Sequence, residues 1–177
     1  MQKVILITGS TDGIGFETAK VLVQQGHHVL LHGRNPSKLK NVEQQLVTLS
    51  TEAKIQSYVA DLSVLAEVDT LADEVIAEHD KIDVLINNAG VFNTPNPITK
   101  DGLDVRFAVN TVSPYHLTKR LLPLLGSSSR VVNLSSAAQA AVSIEALEGK
   151  KTLSDGDAYA QSKLAITMWT RKMAKEL

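Results

Sequence analysis

The sequence predicts a single α/β domain organised on a parallel sheet, and three observations carry that expectation. Short runs rich in Val, Ile and Leu recur along the chain, longer stretches of helical period separate them, and a glycine cluster stands directly after the first run. Near-continuous apolar runs suit strands covered on both faces, and strand–helix–strand alternation favours parallel pairing with right-handed crossovers.

In order, the strand-like runs are Val4–Ile7 and residues 29–31, 55–60, 82–86 and 131–134. The helical stretches are 15–25, 39–49, 64–78 and 103–125, and the second places Leu39, Val42, Leu46 and Leu49 along one face. Residues 92–100, which include Pro95 and Pro97, and residues 137–157 read as the loosest segments. No internal repeat or low-complexity linker divides the chain, so residues 1–177 are expected to form one domain.

Bulk composition narrows the function classes. With 18 Lys and Arg against 19 Asp and Glu, the formal net charge is −1, which argues against a nucleic-acid partner, because phosphate contacts call for a basic excess or stripe. The lack of cysteine excludes disulfides and thiolate metal sites and suits a reducing compartment. The apolar run after Met1-Gln2-Lys3 is too short for a signal peptide or a membrane span, so a soluble, cytoplasmic protein with no membrane partner is expected. His27, His28, His32, His79 and His116 show no metal-ligand spacing; they read as surface or packing residues, and no metal is expected.

Val4–Ile7 leads into Thr8-Gly9-Ser10-Thr11-Asp12-Gly13-Ile14-Gly15, a G-x-x-x-G-x-G pattern, before helical period begins. A strand turning sharply into a helix presents free N–H groups at the positive end of the helix dipole, and glycines let a pyrophosphate approach the backbone. A glycine cluster alone is as often a simple turn. Its place between an N-terminal strand and a helix favours a dinucleotide site and a Rossmann-type doubly wound sheet. The second strand ends in His32-Gly33-Arg34-Asn35, without the acid that binds the ribose 2′-hydroxyl of NAD. Arg34 offers a planar cation for a 2′-phosphate, so NADP is preferred over NAD. A solvated surface arginine is the simpler alternative, and Asp12 lies near where that phosphate would sit. Asp61, after the third strand, could face the adenine edge or cap a helix beginning near Ser63.

Tyr159 and Lys163 stand four residues apart in a helical segment, which puts both on one face. A tyrosine titrates near pH 10, and a nearby lysine cation favours the phenolate, so such a pair could serve as acid and base at an alcohol or carbonyl. By itself the spacing is more often an ordinary helix surface. Two other groups stand at strand ends, where open α/β sheets bind ligands: Ser135-Ser136 after the fifth strand and Asn87-Asn88-Ala89-Gly90 after the fourth. Asn110 lies in the helical stretch that follows.

Through residues 8–15, Asp61-Leu62, residues 87–90, Asn110, Ser135-Ser136 and residues 159–163, in that order, the sequence resembles the short-chain dehydrogenase/reductase family over nearly its whole length. The resemblance implies a nicotinamide-dependent oxidoreductase. Tyr159 would exchange the proton at the substrate oxygen; Lys163 would lower the tyrosine pKa and hold the nicotinamide ribose. Ser136, rather than Ser135, would hydrogen-bond the substrate oxygen, and Asn110 would hold a water linking Lys163 to solvent. Gly9, Gly13 and Gly15 would cradle the pyrophosphate, with Ser10, Thr11, Asp12 and Ile14 in the same cofactor-binding loop. Arg34, Asp61, Leu62, Asn88, Ala89 and Gly90 would complete the cofactor contacts. Gly33-Arg34-Asn35, residues 158–165 and the 22 residues between Ser136 and Tyr159 resemble the branch related to retinol dehydrogenases. The partner is then a small-molecule carbonyl or alcohol, and the apolar residues 137–144 suggest an apolar one. Pairing of family members through the helices of Asn110 and Tyr159 implies a homo-oligomer, with Met168 and Trp169 as core or subunit contacts.

Complete family members continue past the helix of Tyr159 with two further strands, a substrate-covering loop and a Pro-Gly turn. Here Leu177 ends that helix. The expectation is therefore a sheet lacking its last two strands, with the fifth strand as an open edge, in a fragment or a shortened gene product. The competing readings are a non-catalytic nucleotide-binding or interaction module derived from such an enzyme, and an inactive, poorly folding remnant.

Overall fold

A computed structural model describes residues 1–176; Leu177, expected to end the helix of Tyr159, lies outside the described residues. Strands β1 (Val4–Ile7), β2 (His28–Gly33), β3 (Lys54–Val59), β4 (Val84–Asn87) and β5 (Arg130–Asn133) pair in parallel in the order β3-β2-β1-β4-β5. The helices are α1 (Gly13–Gln24), α2 (Pro36–Leu46), α3 (Leu65–Glu78), α4 (Val105–Phe107), α5 (Ser113–Leu121), α6 (Ile144–Leu147) and α7 (Asp155–Met173). This is the doubly wound architecture that the alternation predicts.

Strand periodicity explains the two covered faces. Ile5, Ile7, Val29 and Leu31 join Ala19 and Val23 of α1 and Leu39, Val42 and Leu46 of α2 in one core. The alternate residues Leu6, Leu30 and Leu85 face Val68, Leu71 and Val75 of α3 and Leu117 and Leu121 of α5. Each such side chain contributes about 1.5–3 kcal/mol when fully buried. β3 and β5 form the sheet's edges among the described residues, and Val132 on β5 is 43% exposed.

Two boundaries differ from the periodicity, each for a local reason. Helix α2 starts at Pro36, before Leu39, because the Asn35 side chain accepts from the Lys38 N–H at 3.0 Å and proline suits the first turn. Residues 103–125 do not form one helix: a π-helical turn, Ala108–Val112, separates α4 from α5. Pro114 has no N–H for the carbonyl of Asn110 four residues earlier, and the Ser113 N–H reaches back five residues to Ala108. In α7, Ile166 and Met173 are core, whereas Met168 is exposed and Trp169 meets Tyr115 edge-on at 5.5 Å. No helix among the described residues is long and apolar enough to cross a membrane.

Candidate active site

The C-terminal ends of the strands converge on a cleft of about 740 Å³, beside the point where β1 pairs with both β2 and β4. Its first half is made of backbone. Gly9 and Gly13 take φ of +64° and +52°, a region that favours glycine, and the side of Gly13 where a Cβ would stand is open space. Gly15 does not line the cleft; it lets α1 start against the loop, since a Cβ there would lie 2.1 Å from the Gly9 carbonyl oxygen and 2.4 Å from Asn88 Nδ2.

Hydrogen bonds join this loop to its neighbours. Thr8 Oγ1 accepts the N–H groups of Asn88 and Ala89 at 3.0 and 3.1 Å, and Asn88 Nδ2 donates to the carbonyls of Thr8 and Gly9 at 2.9 Å. His32 is buried, with Nδ1 accepting from the Gly9 N–H at 3.1 Å and Nε2 donating to the Ala60 carbonyl at 3.0 Å. Those partners specify one neutral tautomer, and burial pushes the imidazole pKa down to about 4. His32 is thus the support of the glycine loop, within the packing role the sequence suggested.

Three residues of the expected cofactor loop sit elsewhere than the cleft lining. Ser10 is fully buried: its N–H donates to the His32 carbonyl, and its hydroxyl bonds both backbone groups of His32, so it anchors the loop to β2. The Ile14 side chain is 70% exposed on α1, and Gly15 is packed as described. Thr11, Asp12, Gly13, Arg34, Asp61, Leu62, Asn88, Ala89 and Gly90 line the cleft with Gly9. Asp12 caps α1 by accepting from the Gly13 N–H at 2.8 Å. Asp61 lines the cleft but does not cap the following helix: its carboxylate accepts from the Ser63 N–H at 2.9 Å, in the turn before α3, whose first N–H, that of Leu65, donates to Asp101 instead. The sequence reading missed Lys38, which lines the cleft with Arg34. Its position one helical turn beyond Arg34, just after the Asn-Pro cap, was the available signal.

The expected catalytic residues Asn110, Ser136, Tyr159 and Lys163 are not among those that line this cleft; Asn110 and Lys163 adjoin it at Gly90, and this second part of the candidate site is built from side chains. Lys163 is 5% exposed, its Nζ donates to the Leu134 carbonyl at 2.9 Å, and it lies 5.8 Å from the centre of the Tyr159 ring. Burial lowers the lysine pKa. A Cβ at Gly90 would stand 3.4 Å from both Lys163 Nζ and Asn110 Oδ1, so glycine leaves the two groups their room. Phe92, absent from the sequence-based site, tilts against Tyr159 at 4.9 Å between ring centres.

Asn110, in the π-helical turn, accepts from the Val91 N–H at 2.8 Å and donates to the Val91 carbonyl and to Ser162 Oγ at 3.0 Å each. Ser162 Oγ in turn donates to the Tyr159 carbonyl at 2.7 Å, and Thr111 Oγ1 donates to the Ser162 carbonyl at 2.7 Å. The wide turn is thereby fastened to the helix of Tyr159. Ser135 donates to the Lys163 carbonyl at 2.8 Å and pairs with Thr167, whereas Ser136 Oγ accepts from the Ala138 N–H at 3.1 Å. Below these, Asn87 Nδ2 donates to Thr118 Oγ1 and Asn133 Oδ1, and Asn133 donates to Thr170, which ties β4 and β5 to α5 and α7. Among the described residues no group of His, Asp and Glu is placed to hold a metal.

Comparison with known proteins agrees with this geometry. The family model described as short chain dehydrogenase matches residues 3–177. Human polyprenol dehydrogenase is 35% identical over 183 residues, covering 99% of this chain and 56% of its own length. Mouse retinol dehydrogenase 12 is 36% identical over 179 residues, with 99% and 57% covered. The chain thus spans little more than half the length of these curated relatives. A metagenomic short-chain oxidoreductase solved in complex with NADP superposes with a TM-score of 0.80 at 30% identity, over 99% of this chain and 76% of that one. The Pseudomonas aeruginosa RhlG/NADP complex gives 0.78 at 28% identity, over 99% and 67%. The chain therefore belongs to the short-chain dehydrogenase family, and its relatives point to the retinol-dehydrogenase-like branch.

Proposed function

We propose that the chain binds NADP(H) across this cleft and that Tyr159 exchanges a proton with the oxygen of a carbonyl or alcohol substrate. The observation that carries the reading is the buried Lys163 ammonium, held by the Leu134 carbonyl at the end of β5 and set 5.8 Å from the Tyr159 ring. Both side chains project from one face of α7, beside the strand ends where open α/β sheets bind ligands.

The residues present fit a dinucleotide. The open side of Gly13 gives a phosphate access to the backbone at the start of α1, where N–H groups and the helix dipole favour negative charge. Arg34 and Lys38, both lining the cleft beside Asn35, offer two cations to a 2′-phosphate, with the carboxylates of Asp12 and Asp61 in the same lining. When bound, the nicotinamide supplies or accepts the hydride. Tyr159 then gives its proton to the carbonyl oxygen during reduction, or takes the alcohol proton in the other direction. Ser136 donates a hydrogen bond to the same oxygen, a role that the internal bonds of Ser135 leave to its neighbour. Two solved relatives hold NADP, and the retinol and polyprenol relatives carry names of apolar alcohols, which supports an apolar substrate beside residues 137–144.

The test is a titration of the chain with NADPH and with NADH, followed by melting temperature, since a ligand of the folded state raises it. The expected result is saturable NADPH binding, weaker NADH binding, and NADPH oxidation by an apolar aldehyde that Tyr159→Phe removes. A folded chain that binds neither nucleotide overturns the reading, and binding without turnover leaves a nucleotide-binding module.

A further inference from the structure

Arg106 is 1% exposed, and nothing in the proposed chemistry uses it. Its guanidinium forms a two-point pair with Asp104, Nε to Oδ1 at 2.9 Å and Nη2 to Oδ2 at 2.6 Å. The remaining arm, Nη1, donates to Asp155 Oδ1 at 2.7 Å and to the Phe92 carbonyl at 3.3 Å. Asp155 opens α7 one turn before Tyr159, and Phe92 is the residue whose ring lies against Tyr159. One buried cation therefore bonds the backbone carbonyl of Phe92 on one side of the ring pair and the Asp155 side chain on the other, and its own element, α4, runs on into the π-helical turn of Asn110.

We infer that Arg106 is a positioning residue that sets the Tyr159–Phe92 pair through Asp155 and the Phe92 carbonyl; this rests on the proposed role of Tyr159. A buried ion pair is weak evidence for stability, because an apolar side chain of similar volume is often no worse in such a place. A guanidinium differs in direction: its planar fork reaches four acceptor atoms on three residues at set angles, which a lysine or a methionine does not. Such directed bonds matter at a proton-transfer group, where a displacement of about 1 Å can cost about a hundredfold in rate.

Asp155→Ala cuts the link to α7 and leaves the buried Arg106–Asp104 pair whole, and the Asp155 side chain is itself 57% exposed, so the fold should survive. Asp155→Asn loses the same charge at the helix start but keeps the Oδ1 acceptor. With ring-labelled protein, nuclear Overhauser contacts between Phe92 and Tyr159 read the pair directly, without nucleotide or substrate. The expected result is that Asp155→Ala weakens these contacts and lowers kcat about tenfold or more, with NADPH affinity and KM unchanged, while Asp155→Asn restores most of both. Arg106→Gln should show the larger loss where it folds. The inference is overturned when Asp155→Ala keeps the ring contacts, or when Asp155→Asn behaves like Asp155→Ala. Because the ring contacts are read in the protein alone, loss of NADPH binding or turnover in the parent chain counts against the proposed function and leaves this test intact.

Discussion

The two ends of the cleft are built on different principles. At the β1–β2 end the proposed pyrophosphate site is backbone, held still by Ser10, His32 and Thr8, and the side chains of Arg34 and Lys38 join it only at the cleft's edge. Beside the β4–β5 end the proposed working groups are side chains on α7 and the π-helical turn, held by bonds between residues some 20 to 50 positions apart. A pyrophosphate needs only N–H groups and room, which a short local motif can specify. Proton transfer needs particular atoms at particular distances, which only tertiary structure can supply.

The sharpest separation of the two ends is Tyr159→Phe. Turnover should fall about 10²- to 10⁴-fold in steady-state kinetics while the NADPH dissociation constant holds, since the ring and its packing remain. A parallel loss of nucleotide affinity would show that the ends are not independent. Gly15→Ala attacks the other end: its Cβ must displace the Gly9 carbonyl, so about 3 kcal/mol of stability should be lost, together with NADPH binding, in denaturant melts.

Acid should find the nucleotide end first. His32 stays neutral in the folded chain down to about pH 4, whereas an unfolded histidine protonates near 6.5. Between those values the unfolded state binds the extra proton, so stability is full above about pH 6.5 and falls as pH drops through the window, by on the order of 3 kcal/mol at most. His32→Gln should flatten that slope in melts taken from pH 7 to 4. The smallest effect expected is at the cleft edge, where Arg34→Ala should weaken NADPH about tenfold and leave NADH nearly unchanged, because the proposed partner of this exposed cation is the 2′-phosphate.

The difference between the ends also decides what the sequence made legible. Strands, sheet class and the glycine loop follow from contiguous patterns and were readable, as were Tyr159 and Lys163, whose spacing is one helical turn. Ser10 was placed with the cofactor because position in a motif says nothing about which way a side chain turns; its two bonds to His32 decide that. Phe92 and Arg106 had no motif to announce them. A lone arginine between Val105 and Phe107, preceded by Asp104, was the only trace of the buried clamp, and its partner Asp155 lies 49 residues on. The break in residues 103–125 was signalled by Pro114, but helical period on both sides concealed it.

That proline has a consequence for how the molecule can be improved. Pro114→Ala restores an N–H four residues after Asn110 and allows the helix to close into regular 3.6-residue turns, so a screen for thermal resistance should favour it. The closed helix would also redraw the segment that now carries Asn110 to Val91 and Ser162. On the proposed function, selection for robustness and selection for turnover would then pull this one position in opposite directions.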